Sequence, residues 1–426
     1  MINSMYRNLK KTLSYSVIAV CCSSTFASNA QDTVEQRLEK LEKKLKTYQK
    51  QEQEKKKPNV SKTRFAGLVQ MDYNQYNGAY NANNEGATGS DVFVRRVHLR
   101  AFHKANDKLD YVLLLLADDD STRFFVGFAR YQPNNKTEFR IGKIKEDRSF
   151  SVQYIGEELT AERPMVANAF ATAFQWGIQG HRLFDHGFRL SAGVFEDKKY
   201  AGDKDGRDAN DKLELGYNTR GTWSYMTNDS VFHLGASYAL RELGKEKIAL
   251  TERAGIRNAT NRLVQAPTLD AANDTTIIMG EIAYQKNAFR IEGEYGNMDV
   301  DAVDSSVNDL SFSGYYVTAS YFLNGDTHLK YNTKYAKFGR PTDENGIWEV
   351  YARYSVLDLV DHNEGTKAEV SMIGTNYYIN QNINLQLQYY DAQVSGPDIT
   401  KSPFTSTTGQ TYHDGNAIAA RVSYRF

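Results

Sequence analysis

The run Arg95-Arg96-Val97-His98-Leu99-Arg100 packs four basic side chains into six residues. Side chains on a strand alternate with a period of two, so Arg96, His98 and Arg100 share one face and Arg95 falls on the other. A basic stripe facing water attracts anions and hands them on. Arginine suits phosphate-like oxyanions because its planar guanidinium donates two parallel hydrogen bonds. His98 would make such a stripe pH-sensitive, since imidazole titrates near neutrality. The competing use of these residues is charge balance against acids on facing strands. A second group follows at 143–170. There Lys145, Arg148, Ser149, Ser151 and Arg163 offer cations and hydroxyls, interleaved with Glu146, Asp147, Glu157, Glu158 and Glu162.

The element that must carry such residues is visible at residues 416–426. Ile418, Ala420, Val422, Tyr424 and Phe426 fall on one face, and Ala417, Ala419, Arg421, Ser423 and Arg425 on the other. A strand apolar on one side and polar on the other, closing on an aromatic residue, fits an outer-membrane β-barrel with lipid outside and a wet lumen inside. The alternation recurs from Thr63 onward. Strands are expected near 63–73, 91–103, 108–118, 122–131, 136–145, 171–180, 187–195, 213–224, 230–240, 276–285, 287–297, 312–323, 347–358, 367–379, 382–393 and 416–426. The fold class is therefore all-β, a 16-stranded antiparallel transmembrane barrel. An even count returns both ends to the same rim. Gaps alternate long and short, as barrel loops and turns do. Two break the pattern: 119–121 is short among the long loops, and 324–346 is long among the short turns.

With the alternation set, inward cations include Arg64, Arg96, His98, Arg100, Arg140, Arg353 and Arg421, against acids such as Asp72, Glu281, Glu294 and Glu349. Burying unpaired charge costs several kcal/mol per ion, so this interior is wet rather than a dry core. Sixteen strands leave a channel, whereas eight are filled by side chains. The 146–170 loop, after the fifth strand, is the candidate to fold inward and narrow the bore.

Composition sets the frame. Residues 1–30 read as an export signal, with Arg7, Lys10 and Lys11 before a short apolar run and a small-residue site ending at Ala30. Both cysteines, Cys21 and Cys22, lie within it. No disulfide, thiolate metal site, cysteine nucleophile or cofactor is therefore expected in the exported chain. Residues 31–60 place Val34, Leu38, Leu41, Leu45 and Tyr48 at heptad positions of a short periplasmic coiled coil, ended by Pro58. The barrel spans 61–426. The chain is formally neutral, but the first sixty residues are basic, which leaves the barrel with six more acids than bases. Anion preference must therefore come from where the lumen charges sit. No serine–histidine pairing motif suggests an enzyme. A soluble periplasmic β protein with a coiled-coil handle is the competing architecture.

Several stretches stand in order: Phe65-Ala66-Gly67-Leu68-Val69-Gln70-Met71-Asp72, Val94-Arg95-Arg96-Val97-His98-Leu99, Phe139-Arg140-Ile141-Gly142-Lys143-Ile144-Lys145-Glu146, Glu162-Arg163-Pro164 and Gly346-Ile347-Trp348-Glu349-Val350-Tyr351-Ala352-Arg353-Tyr354-Ser355. Together they resemble the phosphate-selective porin O and P family. The resemblance implies a homotrimeric 16-stranded porin in the outer membrane of a Gram-negative bacterium. It also implies an inward third loop, an arginine-lined path for phosphate or related anions, and often a short N-terminal coil. The family's arginine pair falls on Arg95 and Arg96, and the lysine that starts its third loop on Lys145. The chain departs from the family at His98, where a third basic strand residue is usual, at Asp147, where the family has proline, and in its acidic barrel. The expected partners are small anionic solutes and outer-membrane lipids, with no nucleic acid. A porin for sugars or general solutes is the alternative, with inward Tyr351 and Tyr390 as its aromatic lining.

Overall fold

The computed structural model describes residues 61–119, 121–154, 159–170, 174–196 and 214–426, together with helical positions Glu39, Glu42 and Lys43. The export segment and most of the heptad segment lie outside the described residues. Sixteen antiparallel strands close into one barrel, each hydrogen-bonded to its neighbours in sequence. They are β1 (Lys62–Tyr76), β2 (Gly89–Lys104), β3 (Leu109–Ala117), β4 (Thr122–Asn134), β5 (Thr137–Lys145), β6 (Phe174–Leu183), β7 (Phe188–Glu196), β8 (Leu215–Met226), β9 (Ser230–Ile248), β10 (Leu269–Lys286), β11 (Phe289–Ala302), β12 (Leu310–Phe322), β13 (Ile347–Asp358), β14 (Lys367–Tyr378), β15 (Ile383–Ser395) and β16 (Asp414–Arg425). Every strand expected from the alternation has its counterpart.

The burial pattern is inside-out, as lipid outside and water inside dictate. On β15 the buried positions are Asn384, Gln386, Gln388 and Tyr390, while Leu385, Leu387 and Tyr389 are exposed. Outward aromatics gather at the rim that holds the short turns: Phe184, Phe188, Tyr225, Phe289, Trp348 and Phe426 are all exposed large side chains. Such a girdle seats the barrel at a membrane interface.

The seam between first and last strands runs from Leu68↔Arg425 to Tyr76↔Ala417. The terminal residue completes it, since Gly67 and Phe426 exchange backbone hydrogen bonds of 2.8 and 3.1 Å. A Cβ at Gly67 would meet the Phe426 ring at 2.1 Å, so glycine lets the ring lie on the strand. Inside the seam Arg421 donates to both Asp72 oxygens at 2.6 Å, with Nε to Oδ1 and Nη2 to Oδ2.

Two irregularities shape the lumen. Gln70 pairs with Arg96 and Met71 with Val94, so Arg95 is the extra residue of a β-bulge. A bulge re-aims side chains, and Arg95 consequently reaches an acceptor in the lumen. Parity alone had put it on the lipid side. The second irregularity is the long turn 324–346. It folds up inside the barrel as a small hairpin, Leu329–Asn332 paired with Lys337–Pro341.

Asp72→Ala leaves the Arg421 guanidinium buried without its bidentate partner. Stability should fall by roughly 3–5 kcal/mol, read as a lower temperature for conversion of the folded gel band to the unfolded one. The paired variant Asp72→Ala/Arg421→Met should recover most of the loss. A single variant as heat-resistant as the parent would show that the pair does not hold the seam.

Candidate functional site

Three segments fill the lumen, two of them held largely by charge and one by neutral contacts. The first is the loop between β5 and β6, described over 146–154 and 159–170. At its start Glu146 pairs with Arg241 of β9, and Asp147 pairs with Arg189 of β7 and, at 2.6 Å, with Arg220 of β8. Asp147, the position where the related family has proline, thus bridges two wall arginines. Two cations beside it outweigh burial and hold its carboxyl well below the usual carboxylate range. Farther on, Glu294 of β11 accepts the Ser149 hydroxyl at 2.7 Å and the backbone N–H groups of Phe150 and Ser151 at 2.6 and 3.0 Å. The short helix Met165–Phe170 then packs its apolar side chains into the main buried cluster.

The second segment is the loop 249–268 between β9 and β10. It turns inward and packs Leu250, Ala254, Ile256 and Leu263 against the same helix. Tyr80 donates to the Ala254 carbonyl at 2.9 Å, and Asn261 to those of Ala79 and Pro403, each at 3.0 Å. The third is the 329–341 hairpin. Its Tyr331 hydroxyl lies 2.6 Å from His233, Lys334 pairs with Glu138 at 2.7 Å, and Lys337 donates to the Gln153 carbonyl at 3.1 Å.

What remains open is lined by arginine. One chamber lies between the first two segments and β2. It is lined by Arg95, Arg96, Arg163, Arg253, Arg257 and Arg262, with only two carboxylates, Glu162 and Glu252. Arg95 clasps Glu162 through two bonds of 2.6 and 3.0 Å, and Arg421 lies 3.5 Å from the same carboxylate. Burial pushes the Glu162 carboxyl up, but Arg95 and then Arg421 more than reverse that and hold it at about 2. The Arg253 Nε is buried with no hydrogen-bond partner among the described residues. Arg163 also lines a second chamber, nearer the short-turn rim, with Arg290, Arg340, Arg353 and Arg425 beside the carboxylates Glu292 and Glu349. A third chamber gathers Arg100, Arg130, Arg140, Lys145 and Lys337 around Tyr335.

The sequence expectations sort cleanly against this geometry. Arg95, Arg96 and Arg163 meet in the first chamber; Arg353 joins Arg163 in the second; Arg100, Arg140 and Lys145 meet in the third. Arg64 is exposed at the rim, 5.7 Å above the Phe102 ring. His98 is buried with its ring 6.0 Å from Phe125 and lines none of the three chambers. Its expected place in a shared anion stripe is therefore corrected. Arg421 belongs to the seam. Arg148 and Ser149 are also corrected: they anchor their loop rather than face the bore. Arg148 is 1% exposed and donates to the Phe170 carbonyl, which ties the start of the loop to its short helix. Ser151 keeps a place in the second chamber. Arg253, Arg257 and Arg262 lie outside the sequence expectations, and three arginines within ten residues are their signal in the chain.

Because the folded Glu162 titrates at about 2, its clamp on Arg95 contributes fully above the ordinary carboxylate range and is lost as pH falls towards 2. Protease cleavage within residues 146–173 of the detergent-refolded barrel should be equally slow at pH 7 and pH 5. It should accelerate only below about pH 4, where an unpaired glutamate begins to protonate. Release already at pH 5 would contradict the clamp.

The family described as phosphate-selective porin O and P matches residues 64–426. Porin O of Pseudomonas aeruginosa is 24% identical over 404 residues, which span 85% of this chain and 88% of that protein. Among solved structures, an anion-selective porin from Comamonas acidovorans superposes with a TM-score of 0.56 at 14% identity, covering 86% of this chain and 100% of that one. OprB of Pseudomonas putida gives 0.53 at 8% identity, over 85% and 94%. These superpositions show the same barrel fold.

Proposed function

The chain belongs to the phosphate-selective porin O and P family, and from that premise we propose that its barrel passes phosphate and related oxyanions along the arginine-lined chambers. It is a porin of the Gram-negative outer membrane, a wet channel for small anions. The observation that carries the oxyanion reading is the first chamber, where six arginines face two carboxylates. Six acids in excess over the barrel do not cancel this local field, because charges beyond about 10 Å are screened in salt. Planar guanidinium groups fit the fork of two oxyanion oxygens. Arg163, shared by two chambers, joins the pocket to Arg353, whose own partners are the Thr318 hydroxyl and the Glu162 carbonyl. An anion released from one cation thereby meets the next, which conduction needs.

The aromatic-lining alternative loses its residues to packing. Tyr351 and Tyr390 are 5% and 3% exposed, and the Tyr390 hydroxyl donates to Gln388. The reading assigns no catalysis. It includes cleavage of residues 1–30 after Ala30, a periplasmic coil over 31–60, and a homotrimer, supported by the sequence pattern and by family resemblance.

In a planar bilayer under a chloride gradient, the reversal potential should be anion-biased and phosphate should block the chloride current. Arg96→Ala and Arg257→Ala should each weaken that block about tenfold, since a hydrogen bond to a charged group contributes roughly 1.5–3 kcal/mol. Cation preference, or chloride current indifferent to phosphate, would reject the proposal.

A further inference from the structure

We propose that Glu252 determines specificity in the first chamber, admitting oxyanions that carry a proton, such as hydrogen phosphate, and turning away those that carry none, such as sulfate. This rests on the reading of that chamber as an anion site and extends it to the choice among anions.

The two carboxylates of the chamber are not equivalent. Glu162 is occupied: both its oxygens are held by Arg95. Glu252 is held differently. It lies on a two-residue ribbon strand, paired with Val264, which fixes its backbone in the inward loop. The Asn168 amide and the Arg253 backbone N–H lie near enough to favour its charged form. Among the described residues no arginine forms an ion pair with it, although it shares the chamber with six. The groups facing it are Arg253, Arg257 and Arg262 from its own loop, Glu162, Arg163 and Asn168 from the loop after β5, and Arg95 and Arg96 from β2. Tyr80, from the loop after β1, is close enough to feel its charge. A carboxylate outside any ion pair therefore borders a site whose other carboxylate is already clasped by Arg95 and whose remaining charged groups are donors.

The consequence is chemical. Hydrogen phosphate offers guanidinium groups its bare oxygens and still has a P–OH to donate. Sulfate has only acceptors, so facing Glu252 it sets lone pair against lone pair. A site built to hydrogen-bond a ligand hydroxyl rejects the analogue lacking it, because its own polar group is then left unmatched. The cost is larger where water is scarce. Burial and then Glu162 push the Glu252 carboxyl up to about 7, against smaller opposing effects from Arg253, Asn168 and Arg262. Above neutrality the group is an acceptor and selects. Below it, the group is neutral, can donate, and sulfate is no longer repelled.

The test uses the full-length refolded porin in planar bilayers, with block of chloride current by sodium phosphate and sodium sulfate measured at pH 8 and pH 6. Sulfate remains a dianion throughout, so its pH dependence reports the protein. At pH 8 phosphate should block at about tenfold lower concentration than sulfate, a difference of about 1.4 kcal/mol. Sulfate block should tighten by a similar factor at pH 6. Glu252→Gln should give the tighter sulfate block at both pH values. Sulfate block that is pH-independent in the parent overturns the proposal, as does pH dependence that persists in Glu252→Gln, which would place the titrating group elsewhere. If both anions block parent and variant alike, Glu252 loses its role while the anion site stands. If neither anion blocks the parent, the site itself falls and this inference with it.

Discussion

The structure depends on matching the charges that its inward segments take out of water as they cross the lumen. An isolated ion in a low-dielectric interior costs several kcal/mol, and a wall with arginine on many strands cannot leave them bare where segments fold across it. The described ion pairs follow that requirement. Arg189, Arg220 and Arg241 meet Asp147 and Glu146 of the inward loop, and Arg421 meets Asp72 across the seam. Some of the acids that make the barrel net negative are therefore the ones that fasten it.

That division separates structural charge from working charge. Arginines clasped on both sides of the guanidinium hold geometry and offer little to a solute. Arg257 and Arg262 sit on a loop placed by neutral contacts instead, through Tyr80, Asn261 and the apolar side chains behind them. Fixing a cationic loop with uncharged bonds leaves its charge for the bore. Net charge is consequently a poor guide to what such a channel conducts, whereas the identity of each partner is a good one.

The 329–341 hairpin completes this economy from the other rim. Its backbone carbonyls at Lys334 and Ala336 accept from Arg189 and Arg220, so both wall arginines that bridge to Asp147 gain a further acceptor. Phe338 meets Phe150 edge-on with ring centroids 5.9 Å apart. Loop and hairpin thus brace each other, and the bore is divided into smaller chambers without the wall changing.

The sequence by itself determined the wall. Period-two alternation is local, so the sixteen strands, their two faces and the closing Phe426 were legible without any distant contact, and the lengths of the gaps marked 324–346 as unusual. The tertiary structure alone decided what fills the wall. Arg95 points inward only because β2 carries an extra residue against β1, a register fact that no single strand contains. Arg148 and Ser149 look like pore residues until Phe170 and Glu294 are found beside them. Arg253, Arg257 and Arg262 look like surface polarity until Tyr80 and Asn261 fold their loop inward. Facing direction follows from neighbours in sequence; partnership follows from neighbours in space, and in a lumen built of paired charges it is partnership that decides which cations remain for the solute.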